Sequence, residues 1–281
     1  FKERFTRCGK IFEEAVMILQ LNGEQVYYGT GSGHWKNEAK NIVFVHGAGF
    51  DHSIWVMPAR YFARHGFNVI ALDLPGHGQS SGVLLTSIDA MADWVAQVII
   101  SVANDTNAKA TVIGHSMGSL IAMNMAGRQK AVVEQIALLG TSAPMPVTKL
   151  LLDAAKDNDH AAIDMTNTWS HSQRSIMGAS DNPGVSNIHA GERWLERAGE
   201  SVLYTDLAAC NAFNAVELPA VECSALVITG GEDKMTPAKA GIAVAQMLPN
   251  AQVANLSGCG HSMLTEQPNQ VLDALSGFIL S

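Results

Sequence analysis

Cysteine is scarce in this chain of 281 residues: Cys8, Cys210, Cys223 and Cys259 are all there are. No pair has C-x-x-C spacing, so neither a thiolate metal site nor a disulfide framework is indicated. Long apolar runs are missing too. None approaches the ~18 residues that cross a bilayer, which argues against stable membrane insertion. Positive charge is in deficit, with 18 Lys and Arg against 26 Asp and Glu, a formal −8. That sign disfavours nucleic acid and anionic membrane surfaces as partners. Internal repeats and low-complexity stretches are absent as well. Residues 1–10 (FKERFTRCGK) are basic but lack the adjacent apolar core and small-residue cleavage site of a signal segment. They are expected to form a solvated arm, and with the sparse cysteine this makes a reduced, cytoplasmic setting the expectation. Nothing in the composition fixes the oligomeric state.

What is present suits a large α/β domain, or a domain with an insertion, because nearly half the residues (47%) are hydrophobic. Residues 15–21 and 24–28 read as two strands joined by an Asn22-Gly23 hairpin turn. Short β-prone runs follow at 41–45, 67–72, 110–113, 132–139, 225–229 and 252–256. Helical segments lie between them at 55–65, 89–102, 119–126 and 237–248, and 269–280 closes the chain. At 89–102, Met91, Trp94, Val95, Val98 and Ile99 recur at helical spacing. Strands alternating with helices predict crossover connections and a mostly parallel twisted sheet flanked by helices. The alternation stops over residues 141–218, where amphipathic helical fragments carry Met165, Trp169, Met177, Trp194 and Leu203 without a convincing strand. The division expected is a core of residues 1–140 and 219–281 with a helical insertion, 141–218, between its parts.

The chain is organised around Gly114-His-Ser116-Met-Gly118, placed between a β-prone run and a helical segment. Strand, tight turn and helix in that order make a nucleophile elbow. The serine stands clear of the backbone, and glycines two residues either side let strand and helix approach. The helix beginning there turns its positive end toward the charge that develops in acyl transfer. A serine nucleophile needs a base and an acid to orient that base. Asp233, in Thr229-Gly-Gly-Glu-Asp233, leaves the end of one strand. His261, in Leu256-Ser-Gly-Cys-Gly-His261, leaves the end of the next. Both fall at the carboxyl edge of the sheet, where ligands of open α/β sheets bind. Glu232 is the alternative acid. The other nine histidines have structural readings: His46, His77 and His115 as loop-holding side chains inside motifs, the rest as scattered surface or insertion residues. Cys259 reads as structural filler.

The order Ser116, Asp233, His261, with His46-Gly47, Asp73-x-x-Gly76-x-Gly78-x-Ser80, Gly230-x-x-Asp233 and Gly260-His261, resembles the serine hydrolases of the α/β-hydrolase superfamily. The matches run from about residue 41 to the C-terminus. The resemblance implies an α/β-hydrolase fold with a helical cap at 141–218, and a catalytic triad of Ser116, Asp233 and His261. It further implies an oxyanion hole made by the backbone N–H groups of Ala48 and Met117. Met165 and Trp169 in the cap are candidates for lining the substrate pocket.

A serine nucleophile argues against the dehalogenases and epoxide hydrolases of this fold, which use a carboxylate. His115 stands where the C–C bond hydrolases usually carry asparagine. The expectation is therefore hydrolysis of a small or medium hydrophobic carboxylic ester through an acyl-enzyme, with no metal or organic cofactor. Thioesters, lactones, C–C bonds and perhydrolysis remain open on the same machinery. From another class, a ligand receptor on this fold is the alternative.

Overall fold

The computed structural model describes residues 16–182 and 184–281; the arm expected over residues 1–10, and Cys8 with it, lie outside the described residues. The first two strands, β1 (Val16–Leu21) and β2 (Glu24–Gly29), pair antiparallel across Asn22-Gly23. Both turn residues have positive φ, +54° and +87°, the requirement of a primed hairpin turn whose twist matches that of the strands. The remaining strands are β3 (Asn41–Val45), β4 (Asn68–Leu72), β5 (Ala110–His115), β6 (Val133–Leu139), β7 (Ser224–Gly230) and β8 (Ala251–Leu256). They form one eight-stranded sheet in the order β1-β2-β4-β3-β5-β6-β7-β8. From β4 to β8 every pairing is parallel, while β2 joins β4 antiparallel.

Parallel strands return through crossovers that cover both faces of the sheet, so the central strands read as unbroken apolar runs. Every residue of β4 and β5 is buried. Alternate residues feed two separate cores. Val43, Val45, Val112, Ile136 and Leu138 pack with Val95 of α2 (Ile88–Ala103), Leu120 of α3 (Met117–Arg128) and Val244 of the helix Ala238–Met247. Ile42, Phe44, Ile113, Ala137 and Leu139 pack on the other face with Phe62 of α1 (Val56–Arg64) and Leu275 of the closing helix Pro268–Ile279. A buried Leu or Phe in such a core contributes about 1.5–3 kcal/mol.

Between β6 and β7 the described residues make no strand. It forms α4 (Lys149–Lys156), α5 (Ala161–Ser170), α6 (Gln173–Ile176), α7 (Asn187–Arg197) and α8 (Val202–Ala212). The starts are chemically marked. Thr148, Ser172 and Ser186 each accept an N–H of the turn they open, satisfying a donor that a helix leaves unpaired. These helices have a small apolar cluster of their own, centred on Leu151, Ala155, Ala162 and Leu207. Among the described residues no helix is long and apolar enough to cross a membrane.

Candidate active site

Ser116 sits between the last residue of β5 and the first of α3 at φ +54°, ψ −118°. A non-glycine residue in this region costs about 1–3 kcal/mol and persists only where its surroundings enforce it. Here they do. The Ser116 N–H donates to Leu139 O at 2.8 Å, and the Ser119 amide (2.8 Å) and hydroxyl (2.6 Å) both donate to Ser116 O. A Cβ on Gly114 would come within 1.9 Å of Gly118 O, and one on Gly118 within 2.2 Å of Val45 O. The two glycines are therefore required by contact. Met117 opens α3, so its amide is a first-turn donor without an intrahelical acceptor. The turn after β3 lies against the serine: a Cβ on Gly47 would stand 3.1 Å from Ser116 Cβ. Ala48 is the next residue of that turn.

The candidate base, His261, and the candidate acid, Asp233, meet at the same edge. His261 Nδ1 lies 2.8 Å from Asp233 Oδ2, with both residues buried. Asp233 is saturated: Oδ1 accepts the amides of Met235 (2.8 Å) and Thr236 (2.7 Å), and Oδ2 also accepts the Thr236 hydroxyl at 2.8 Å. Burial would raise the Asp233 pKa, but the His261 ring and the Thr236 donors outweigh it and hold the carboxyl below the usual range. The Asp233 carboxyl is thus ionised and held in place by its donors. Gly140, next to the acceptor of the Ser116 amide, packs on the imidazole; a Cβ there would lie 2.9 Å from His261 Cε1.

His115 ties the serine and histidine segments together. Its Nε2–H donates to His261 O at 2.9 Å, and the two rings lie 4.8 Å apart. Burial, then the neighbouring His261, push its pKa down to about 3, so it stays neutral. His46 is lowered to about 4, by burial and then by His77, and its Nε2 accepts the Leu74 amide at 3.1 Å. Asp73 organises the next loop by accepting the His52 amide (2.7 Å), the His52 ring (2.8 Å) and the Gln79 amide (2.8 Å). Ser80 Oγ donates to Asp73 O at 2.7 Å. These residues hold loops in place, and among the described residues Asp51, half-buried His52 and Asp73 form one of two groups of side chains at metal-chelating spacing. The other such group, His160, Glu192 and Glu196, is on the surface of the helical segment.

Glu232 turns away from His261 and accepts the Gln173 amide at 3.0 Å. Its neighbour in space, Glu266, accepts the amides of Ser172 (3.1 Å) and Gly260 (3.3 Å), while the Ser262 amide donates to Ser170 O at 2.8 Å. The α5–α6 junction is in this way fastened to the loops that carry Asp233 and His261. Met165 and Trp169, on α5, are half-buried and pack on the small helical cluster, as do Ala48 and Met235. Phe50, Trp194 and Thr236 carry no motif and stand out only in three dimensions. Phe50 meets Trp194 edge-on at 6.1 Å, and a narrow slot lined by Phe50, Ile54, Trp194 and Leu264 reaches His115. Phe50 does directly follow the His46–Gly49 turn, the one hint available in the sequence.

A family model described as "Alpha/beta hydrolase family" matches residues 42–274. The (E)-2-((N-methylformamido)methylene)succinate hydrolase of Acinetobacter baylyi is 24% identical over 253 residues, covering 87% of this chain and 92% of that protein. The pimeloyl-[acyl-carrier protein] methyl ester esterase of Chromobacterium violaceum is 25% identical over 247 residues, 85% of this chain and 94% of the relative. Among solved structures, the enol-lactonase from Burkholderia xenovorans superposes with a TM-score of 0.80 over 94% of this chain and all (100%) of its own, at 20% identity.

Proposed function

The chain belongs to the α/β-hydrolase family, and from that premise we propose that it is a serine hydrolase that cleaves small or medium hydrophobic carboxylic esters. The observation that carries the proposal is the convergence of a strained, helix-capping Ser116 with a buried His261–Asp233 pair at one sheet edge. Ser116 Oγ attacks the ester carbonyl while His261 Nε2 takes its proton. Asp233, ionised and bonded at Nδ1, holds the tautomer that leaves Nε2 free to accept and then stabilises the imidazolium. The amides of Met117 and Ala48 receive the oxyanion. The tetrahedral adduct collapses as His261 returns the proton to the departing alcohol. Water, deprotonated by the same nitrogen, then releases the acid and regenerates Ser116. The residues act without a metal or organic cofactor, and α4–α8 form a cap that shields the acyl-enzyme from solvent.

Ester cleavage is preferred over other acyl chemistry because a relative similar along most of its length is named for a methyl ester. The test is labelling with a fluorophosphonate followed by an ester panel of graded acyl length. The intact protein is expected to label rapidly and to turn over at least one ester. Ser116→Ala is expected to lose both, with turnover down on the order of 10⁴- to 10⁶-fold. Retention of more than about a hundredth of the activity would remove Ser116 from the role of nucleophile.

A further inference from the structure

An oxyanion donor is useful only if its N–H keeps its direction, and the turn that carries Ala48 has little of its own to ensure this. Inside the turn, the His46 Nδ1–H donates to Gly47 O at 2.9 Å and the Phe50 amide donates to the same oxygen at 3.2 Å. Gly49 has φ +72°, a conformation other residues rarely adopt. Its N–H finds no acceptor in the turn or in the sheet. It donates instead to Asp206 Oδ2 at 2.9 Å, 157 residues further along the chain on α8. Leu203 on the same helix, with Leu195 of α7, closes over Gly49 so tightly that a Cβ there would stand 3.3 Å and 3.1 Å from them.

A second donor converges on the same oxygen. His77 Nε2 lies 2.9 Å from Asp206 Oδ2, and His77 Nδ1 lies 3.0 Å from Pro75 O. A carbonyl only accepts, so Nδ1 carries a proton. A carboxylate also only accepts, so Nε2 is protonated too, and the His77 Nε2–H and the Gly49 N–H both aim at Oδ2 of a fully buried carboxylate whose Oδ1 has no partner among the described residues. Burial would depress the His77 pKa, yet the Asp206 charge and hydrogen bond outweigh it and raise it. Only a carboxylate suits this arrangement. An amide that turned its oxygen to the two donors would leave the imidazolium unneutralised. One that turned its nitrogen would oppose the Gly49 N–H.

We infer that Asp206, supported by His77, is a positioning residue for the oxyanion hole: from cap helix α8 it holds the Gly47–Gly49 turn so that the Ala48 N–H faces the reacting carbonyl oxygen. The inference rests on the serine-hydrolase mechanism proposed for Ser116. It makes a correctly seated cap a condition of transition-state stabilisation as well as of substrate cover.

The experiment compares an ester with its thionoester, in which C=S replaces C=O, because a sulfur anion is a weak hydrogen-bond acceptor and gains little from the hole. Asp206→Asn is expected to lower kcat for the ester on the order of 10- to 100-fold, somewhat less than outright loss of an oxyanion donor. KM is expected to change by less than about threefold, and the ester-to-thionoester rate ratio to fall. His77→Gln keeps an N–H toward Asp206 and is expected to lower kcat by about three- to tenfold, with the ratio moving the same way. A merely structural pair would lower the melting temperature but leave kcat and the ratio unchanged well below it, and that result overturns the inference. If Asp206→Asn does not fold, His77→Gln decides by the same ratio. An intact protein that neither labels with fluorophosphonate nor cleaves esters would instead overturn the serine-hydrolase proposal itself.

Discussion

The rings of His115 and His261 lie 4.8 Å apart at a 45° tilt, yet their hydrogen bonds give them different surroundings. His115 donates to a carbonyl and is held neutral, whereas His261 faces a carboxylate that is ionised and fully hydrogen-bonded. The choice between adjacent acids is made at the same scale. Asp233 and Glu232 differ by one position on a turn, and their carboxylates serve His261 and Gln173 respectively. Asp233→Asn is therefore expected to favour the wrong imidazole tautomer and cost about 10⁴-fold in kcat, while Glu232→Gln costs less than about tenfold. Steady-state kinetics on one chromogenic ester would check this, and a reversed order would move the acid to Glu232.

At the scale of elements, α5 joins the helical segment to the loop that carries His261. Its C-terminus at Ser170 takes the Ser262 amide next to His261, and its Met165 and Trp169 share a cluster with Ala48 and Met235. Both side chains are half-buried, which leaves part of each surface available to an acyl chain. Trp169→Ala or Met165→Ala is expected to change relative rates across esters of different acyl length more than it changes the melting temperature. Unchanged preference in both variants, with a large fall in melting temperature, would make them internal packing of the helices. In that case the slot of Phe50, Ile54, Trp194 and Leu264 becomes the next place to look for specificity.

Over the whole molecule, buried titratable groups set how stability responds to acid. His46 and His115 have native pKa values pushed down to about 4 and about 3, against about 6.5 when unfolded. The unfolded chain then binds protons that the folded one refuses, so stability falls as pH drops below about 6.5, by a few kcal/mol for each ring. His77 has the opposite sign: its raised pKa contributes stability that is complete below about 6.5 and is lost only as pH rises through the native value. The depressed carboxyls of Asp73 and Asp233 contribute stability that is complete above the ordinary carboxylate range and is lost progressively as pH falls through that range toward their lower native values. Urea unfolding between pH 7 and pH 4.5 is thus expected to show a steady loss of stability. His115→Asn is expected to flatten that slope, and a wild-type curve level down to about pH 4.5 would show that these two rings are not what limits it.

The sequence alone determined the elements whose causes are local. Asn22-Gly23 specifies a hairpin because both residues tolerate positive φ, and Gly114 and Gly118 frame Ser116 because neither can carry a Cβ there. Periodicity separated strands from helices, and the strand-free stretch between β6 and β7 was visible from its composition. Boundaries shifted by a residue or two, and the short helices at Gln173–Ile176 and Met263–Glu266 were hidden within loops. Motif position points to Asp233 with Glu232 as the alternative, and only packing sets which of two residues one apart on a turn faces His261. The sheet order, which places β4 between β2 and β3, was decided by tertiary structure. So was the Asp206 contact with His77 and Gly49, made across 129 and 157 residues by one acid in an otherwise apolar stretch of α8. Local chemistry writes turns and helix starts into the chain; a buried carboxylate receives its partners only when the helix that bears it is folded over the sheet.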